Sequence, residues 1–102
     1  MICPVCGNNT FDDNDYEYEI CPECFWEYDL VQFKDPNFKG GANKHSLSDY
    51  RKIYKQLKQD NPNFSCQNAE DKKLLLSIEN NEISIDFNKE SNNEYSDEST
   101  YD

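Results

Sequence analysis

Two Cys-x-x-Cys pairs near the start of the chain constrain its fold more than any other feature. Cys3 and Cys6 form the first pair, Cys21 and Cys24 form the second, and fourteen residues separate Cys6 from Cys21. Four thiolates placed in this way can occupy the corners of one tetrahedron, the geometry of a structural Zn²⁺ site. The separation lies just below the range typical of four-cysteine zinc modules. The spacing predicts one structural Zn²⁺ with Cys3, Cys6, Cys21 and Cys24 as its ligands.

The composition explains why the fold needs a metal or disulfides to stabilise it. Only 35% of its 102 residues are hydrophobic and the mean hydropathy is −1.06, so the core must be small. Small domains with little apolar surface are usually held by disulfides or by a metal. Five cysteines do not pair evenly, the start of the chain does not resemble a signal peptide, and no apolar run is long enough to span a membrane. We therefore expect metal ligands rather than disulfides, in a cytoplasmic protein.

The formal charge of −11 is spread unevenly along the chain. Residues 1–33 contain eight acids and no base, residues 34–58 carry a net charge of +5, and residues 79–102 carry −7. The overall charge repels phosphate backbones and disfavours nucleic acid as a partner. We expect a protein partner instead, and the basic stretch supplies the candidate partner-binding residues Lys44, Arg51, Lys52, Lys55 and Lys58.

Residue patterns predict a small α+β fold of the zinc-ribbon type. Alternation from Tyr16 to Ile20 and the apolar run Leu30–Phe33 predict short antiparallel strands. Apolar residues spaced by three and four predict an amphipathic helix over about 46–58 with Ser46 as a candidate N-cap. A second, short helix should follow Asn68, then a weak strand containing Ile83, Ile85 and Phe87, and an acidic disordered tail. The predicted units are a metal-binding domain over 1–58, an extension over 59–87 and the tail over 88–102.

Three residues outside the predicted ligand set need separate predictions. The second pair lacks the glycine that follows the first, so Phe25 must adopt whatever backbone conformation the metal imposes. Cys66 is the leftover thiol, which we expect to be half-buried or exposed in a loop. His45 should be a solvated loop residue just before the helix, and it is not needed as a metal ligand because four cysteines already complete the site. A nucleophilic Cys66 would need His45 as its base, which requires proximity in the fold.

A set of short motifs is spread over residues 3–57. Its members are Cys3-Pro-Val-Cys-Gly7, Tyr18-Glu-Ile-Cys-Pro22, Cys24-Phe-Trp-Glu27, Asp35-Pro36, Gly40-Gly-Ala-Asn43, Ser46-Leu47 and Tyr54. Together these motifs resemble the bacterial cysteine-rich CPCC family. The family's name refers to a third cysteine in the first pair, where this chain has Val5. The resemblance implies a zinc-ribbon-like domain and no particular activity.

The predicted function is a zinc-stapled binding or interaction module without enzymatic activity. Four thiolates fill the coordination sphere and leave no position for a catalytic water. An adaptor would use the surfaces that the metal holds in place, whereas an immunity-type inhibitor would use its acidic tail to mimic nucleic acid. The alternatives are a nucleic-acid-binding zinc ribbon and a rubredoxin-like iron electron carrier. The close spacing of the pairs and Phe25 in place of a second glycine disfavour iron.

Overall fold

Three helices and almost no β-structure make up the part of the chain that the structure describes. The computed structural model describes residues 1–84. In this range α1 spans Leu30–Lys34, α2 spans Leu47–Asp60 and α3 spans Ala69–Glu79. Two isolated antiparallel bridges, Ile2 with Asn9 and Ile20 with Glu27, are the only β-pairing among these residues. The predicted α+β class with antiparallel strands is therefore wrong in its strands, although the four-cysteine cluster is present.

The predicted strand from Tyr16 to Ile20 is wrong because the backbone turns within it. Tyr18 has a φ of 64°, in the left-handed region that an extended strand does not use. Its N–H donates to the carbonyl of Tyr28 at 2.7 Å, and its side chain is 65% exposed. Tyr16 instead packs edge-on against Tyr28. The alternating side chains therefore do not share one buried face, and only Ile20 forms a bridge.

The predicted strand Leu30–Phe33 is also wrong, because this segment forms α1. Asp29 caps the helix: its Oδ1 accepts hydrogen bonds from the N–H groups of Val31 and Gln32. Its Oδ2 accepts a third bond, from the N–H of Ala42. Capping of this kind satisfies backbone donors that a strand would have offered to a neighbouring strand. Gln32, fully buried at the centre of α1, fixes the short helix against the loop that follows.

The predicted helix over 46–58 is confirmed as α2. Ser46 is its N-cap, and the Ser46 hydroxyl accepts from the N–H of Asp49 at 3.1 Å. The helix continues two residues further than predicted, to Asp60. Its apolar stripe is buried, as the spacing indicated, and comprises Leu47, Tyr50, Ile53, Tyr54 and Leu57.

The short second helix is confirmed as α3, capped by Asn68. Leu75 and Ile78 of α3 belong to the same buried cluster as Trp26, which is fully buried beside the second cysteine pair. Ile83 follows the helix in a bend rather than a strand. The remainder of the predicted strand and the predicted tail over 88–102 lie outside the described residues. The division of the chain into 1–58, 59–87 and 88–102 remains a prediction.

Candidate metal centre

The four predicted ligands converge at one point. The sulfur atoms of Cys3, Cys6, Cys21 and Cys24 all lie within 4.8 Å of one another. The Cys3–Cys24 and Cys6–Cys21 sulfur distances are 3.6 and 3.7 Å. A regular tetrahedron with zinc–sulfur bonds of about 2.3 Å has sulfur–sulfur edges of about 3.8 Å. The Cys3–Cys24 and Cys6–Cys21 distances match such edges, and the other sulfur–sulfur distances stay within 4.8 Å.

The two pairs reach the site through matching backbone turns. In the first, the N–H of Gly7 donates to the carbonyl of Cys3 at 3.0 Å, and in the second the N–H of Phe25 donates to the carbonyl of Cys21 at 2.8 Å. Gly7 has a φ of 79° and Phe25 a φ of 65°. The turn of the second pair therefore places Phe25 in the left-handed conformation that glycine adopts freely.

Three of the four cysteines are inaccessible to solvent, and the fourth is partly exposed. Cys3, Cys21 and Cys24 are at most 1% exposed, whereas Cys6 is half-buried. Tyr50 of α2 covers the second pair, and its hydroxyl donates to the carbonyl of Cys24 at 2.9 Å. Cys6 is therefore the ligand most accessible to solvent.

Three donors outside the ligand set bond to the sulfurs, and sequence reasoning identified neither of the two side chains among them, Asn8 and Thr10. The backbone N–H of Val5 donates to Cys3 at 3.4 Å, and the side-chain amide of Asn8 donates to Cys6 at 3.3 Å. The hydroxyl of Thr10 lies 3.1 Å from the sulfur of Cys21. Val5 and Asn8 each lie within two residues of the cysteine that they contact, and this short separation is the sequence signal that indicates such donors. Thr10 contacts a cysteine of the second pair eleven residues further along the chain, and no sequence pattern indicates this contact.

Without a metal the four thiols compete for protons. Hydrogen bonds from Cys24 and Cys3 lower the pKa of Cys21, whereas hydrogen bonds with Cys21 and Cys3 raise the pKa of Cys24. The thiols cannot all ionise together at this separation unless a cation offsets their charge. A dication must therefore displace protons when it binds, so metal affinity falls as the pH is lowered.

A family model described as Cysteine-rich CPCC matches residues 1–72, which include all four ligands, α1, α2 and the start of α3. The chain belongs to the cysteine-rich CPCC family. No curated protein sequence matches the chain significantly.

Val5 lies between the two cysteines of the first pair and contributes no ligand to the cluster. Its backbone N–H donates to Cys3, and its half-buried side chain packs against the hydrophobic cluster. The four sulfurs of this CPCC protein form a complete set of four ligands without a cysteine at position 5.

Cys66 and His45 lie outside the cysteine cluster and engage different partners. Cys66 is buried, contrary to the prediction, and burial raises the pKa of its thiol to about 12. Its N–H donates to the carbonyl of Glu23, inside the second pair. His45 is not a solvated residue either: its Nδ1 lies 2.8 Å from a carboxylate oxygen of Glu79 on α3. These contacts give no indication of a cysteine–histidine catalytic pair.

Four of the five predicted partner-binding residues lie on α2, and Lys44 precedes the helix. Arg51 donates through Nε to the carbonyl of Pro4 at 2.7 Å, which attaches α2 to the first metal turn. The ammonium of Lys58 donates to the carbonyls of Pro62 and Phe64. Lys44, Lys52 and Lys55 are exposed. Arg51 and Lys58 thus have structural contacts, and partner binding by the five residues remains a prediction.

Proposed function

We propose that this CPCC protein is a non-enzymatic binding module whose fold is held by one structural Zn²⁺. The convergence of four sulfur atoms within 4.8 Å carries the proposal. Cys3, Cys6, Cys21 and Cys24 would hold the ion, which would supply charge and cross-linking rather than an open coordination position. Four thiolates saturate a tetrahedral zinc and exclude an activated water.

The surroundings of the centre favour a structural role as well. A cavity of about 190 Å³ lies beside the second pair, between Phe25, Leu76 and Lys44. Two polar groups in its wall already have partners, because the Tyr50 hydroxyl donates to a carbonyl and the Glu79 carboxylate accepts from backbone and imidazole nitrogens. A catalytic site would instead orient such groups toward a reacting substrate.

Metal analysis of the purified chain tests this proposal. We expect one zinc per chain, retained by the wild type and lost when Cys21 is replaced by serine. Stoichiometric iron with a red colour and reversible reduction would favour the rubredoxin-like alternative. A chain without tightly bound metal after purification under reducing conditions, and unable to take up Zn²⁺, would refute the structural-metal proposal.

We further propose that the partner is a protein and that the module works in the bacterial cytoplasm, as an adaptor or an immunity-type inhibitor. The net charge of −11 supports a protein partner over nucleic acid. No helix within residues 1–84 is long and apolar enough to cross a membrane. Affinity purification from the native host should recover one stoichiometric protein partner. Steeply salt-dependent binding to DNA or RNA, abolished by Lys52→Glu, would contradict this proposal and favour a nucleic-acid-binding ribbon.

A further inference from the structure

The hydrogen bonds to the metal-site sulfurs are unevenly distributed between the two cysteine pairs. Cys3 and Cys6 accept from Val5 and Asn8, which lie within two residues of them. Cys21 has no such local donor among the described residues. Its hydrogen-bonding partner outside the cluster is Thr10, eleven positions earlier in the chain. Thr10 thus joins the segment after the first pair to a ligand of the second.

The chemistry of a metal-bound sulfur fixes the direction of this bond. A coordinating cysteine is a thiolate, which can only accept hydrogen bonds, so the hydroxyl of Thr10 must donate. Their separation of 3.1 Å is shorter than the 3.3 Å between Asn8 and Cys6. Cys21 is also fully buried, so water cannot take the place of the hydroxyl, whereas Cys6 is half-buried and accessible to water.

We propose that Thr10 is a positioning residue that orients the Cys21 thiolate and strengthens metal binding. This inference rests on the proposed metal-binding function. Partners of metal ligands typically change affinity by roughly 10–100-fold when they are removed. Removal of the Thr10 hydroxyl should lower metal affinity by an amount in that range, because the Cys21 sulfur that it contacts is fully buried. Loss of the Asn8 amide should have a smaller effect because water can replace it at Cys6.

Competition with a chromophoric chelator tests the proposal on the full chain under reducing conditions. Thr10→Val removes the hydroxyl at nearly constant volume, and Thr10→Ser retains it. We expect the valine variant to bind Zn²⁺ roughly 10–100-fold more weakly and the serine variant to bind nearly as tightly as the wild type. Asn8→Ala is the control for loss of an exposed sulfur partner. Far-UV circular dichroism of the metal-saturated variants checks folding, and Thr10→Ala replaces the valine variant if that one misfolds.

Cobalt spectroscopy separates a bond to sulfur from a general packing effect. A hydrogen bond stabilises the sulfur lone pair, so its loss should shift the thiolate-to-Co²⁺ charge-transfer band to longer wavelength in Thr10→Val, with recovery in Thr10→Ser. Equal metal affinity in the valine variant and the wild type, or equal loss in both variants, would overturn the role of Thr10. A wild-type chain that binds neither Zn²⁺ nor Co²⁺ would instead overturn the proposed function on which it rests.

Discussion

Removal of the metal should unfold the described part of the chain, including α3. The perturbation is a strong chelator or, independently, Cys21→Ser, which removes one of the four sulfurs. Unfolding should reach α3 because the segment that precedes this helix is hydrogen-bonded to the second cysteine pair. The N–H of Cys66 donates to the Glu23 carbonyl, and the Glu23 carboxylate accepts from Ser65 and Gln67 at 2.8 and 2.7 Å.

The expected loss of stability can be compared with the folding free energy of a domain of this length. Folded domains are stable by about 0.05–0.15 kcal/mol per residue, which gives roughly 4–13 kcal/mol for the described residues. Structural zinc sites in small peptides contribute about 10–16 kcal/mol near neutral pH. The metal therefore supplies an amount comparable to the whole stability, and the apo chain should be largely unfolded. Cys66→Ala is a suitable control, because it removes a buried sulfur outside the site and should cost only about 1–2 kcal/mol.

Trp26 provides a direct assay for this unfolding. It is the sole tryptophan of the chain, it is fully buried, and it lies two residues after Cys24. Chelation should shift its fluorescence emission to longer wavelength and reduce the helical signal in circular dichroism together. Re-addition of Zn²⁺ should reverse both changes. An unchanged emission and helical signal, with elemental analysis showing that the metal has left, would refute the idea that the metal supplies the folding energy.

Three further predictions concern contacts outside the ligand set. Because burial raises the pKa of Cys66 to about 12, only roughly 10⁻⁴ of this thiol is ionised at pH 8, and iodoacetamide should leave it unmodified in the folded protein by mass spectrometry. Gly41→Ala would place a Cβ 2.5 Å from the Asp29 carboxylate, and denaturant titration of the metal-bound form should show a loss of about 1–3 kcal/mol. Glu79→Ala leaves the ring and backbone nitrogens of His45 without their acceptor and should cost about 1–3 kcal/mol in the same titration.

The four-cysteine cluster and two of the helices could be predicted because their signals are local. Cysteine pairs separated by two residues can reach one ion almost independently of the surrounding fold. The α2 helix combines an N-cap at Ser46 with a regular apolar stripe, and α3 combines an N-cap at Asn68 with acids in its first turn. In each case neighbouring residues supply most of the interactions that decide the local structure.

The α1 helix could not be predicted from its own residues. Leu30–Phe33 reads as a strand, and five residues are too few to show a helical period. Its stability comes from a distant loop: the Gln32 side-chain amide donates to the carbonyls of Phe38, Asn43 and His45, and its oxygen accepts from Asn43. Contacts between residues so far apart in the chain produce no periodic pattern in the sequence. The contact between Thr10 and Cys21 could not be predicted for the same reason.

The second cysteine pair is the point at which the separate parts of the fold meet. The α2 helix reaches it through Tyr50, which donates to Cys24, and the segment before α3 reaches it through Glu23. The loop before α2 reaches the adjoining residue, because Asn43 exchanges hydrogen bonds with the backbone of Glu27 in both directions. A metal that fixes this pair therefore fixes three surfaces at once. Partner recognition by any of them should depend on the metal even where the partner never contacts it, so chelation should abolish binding together with the fold.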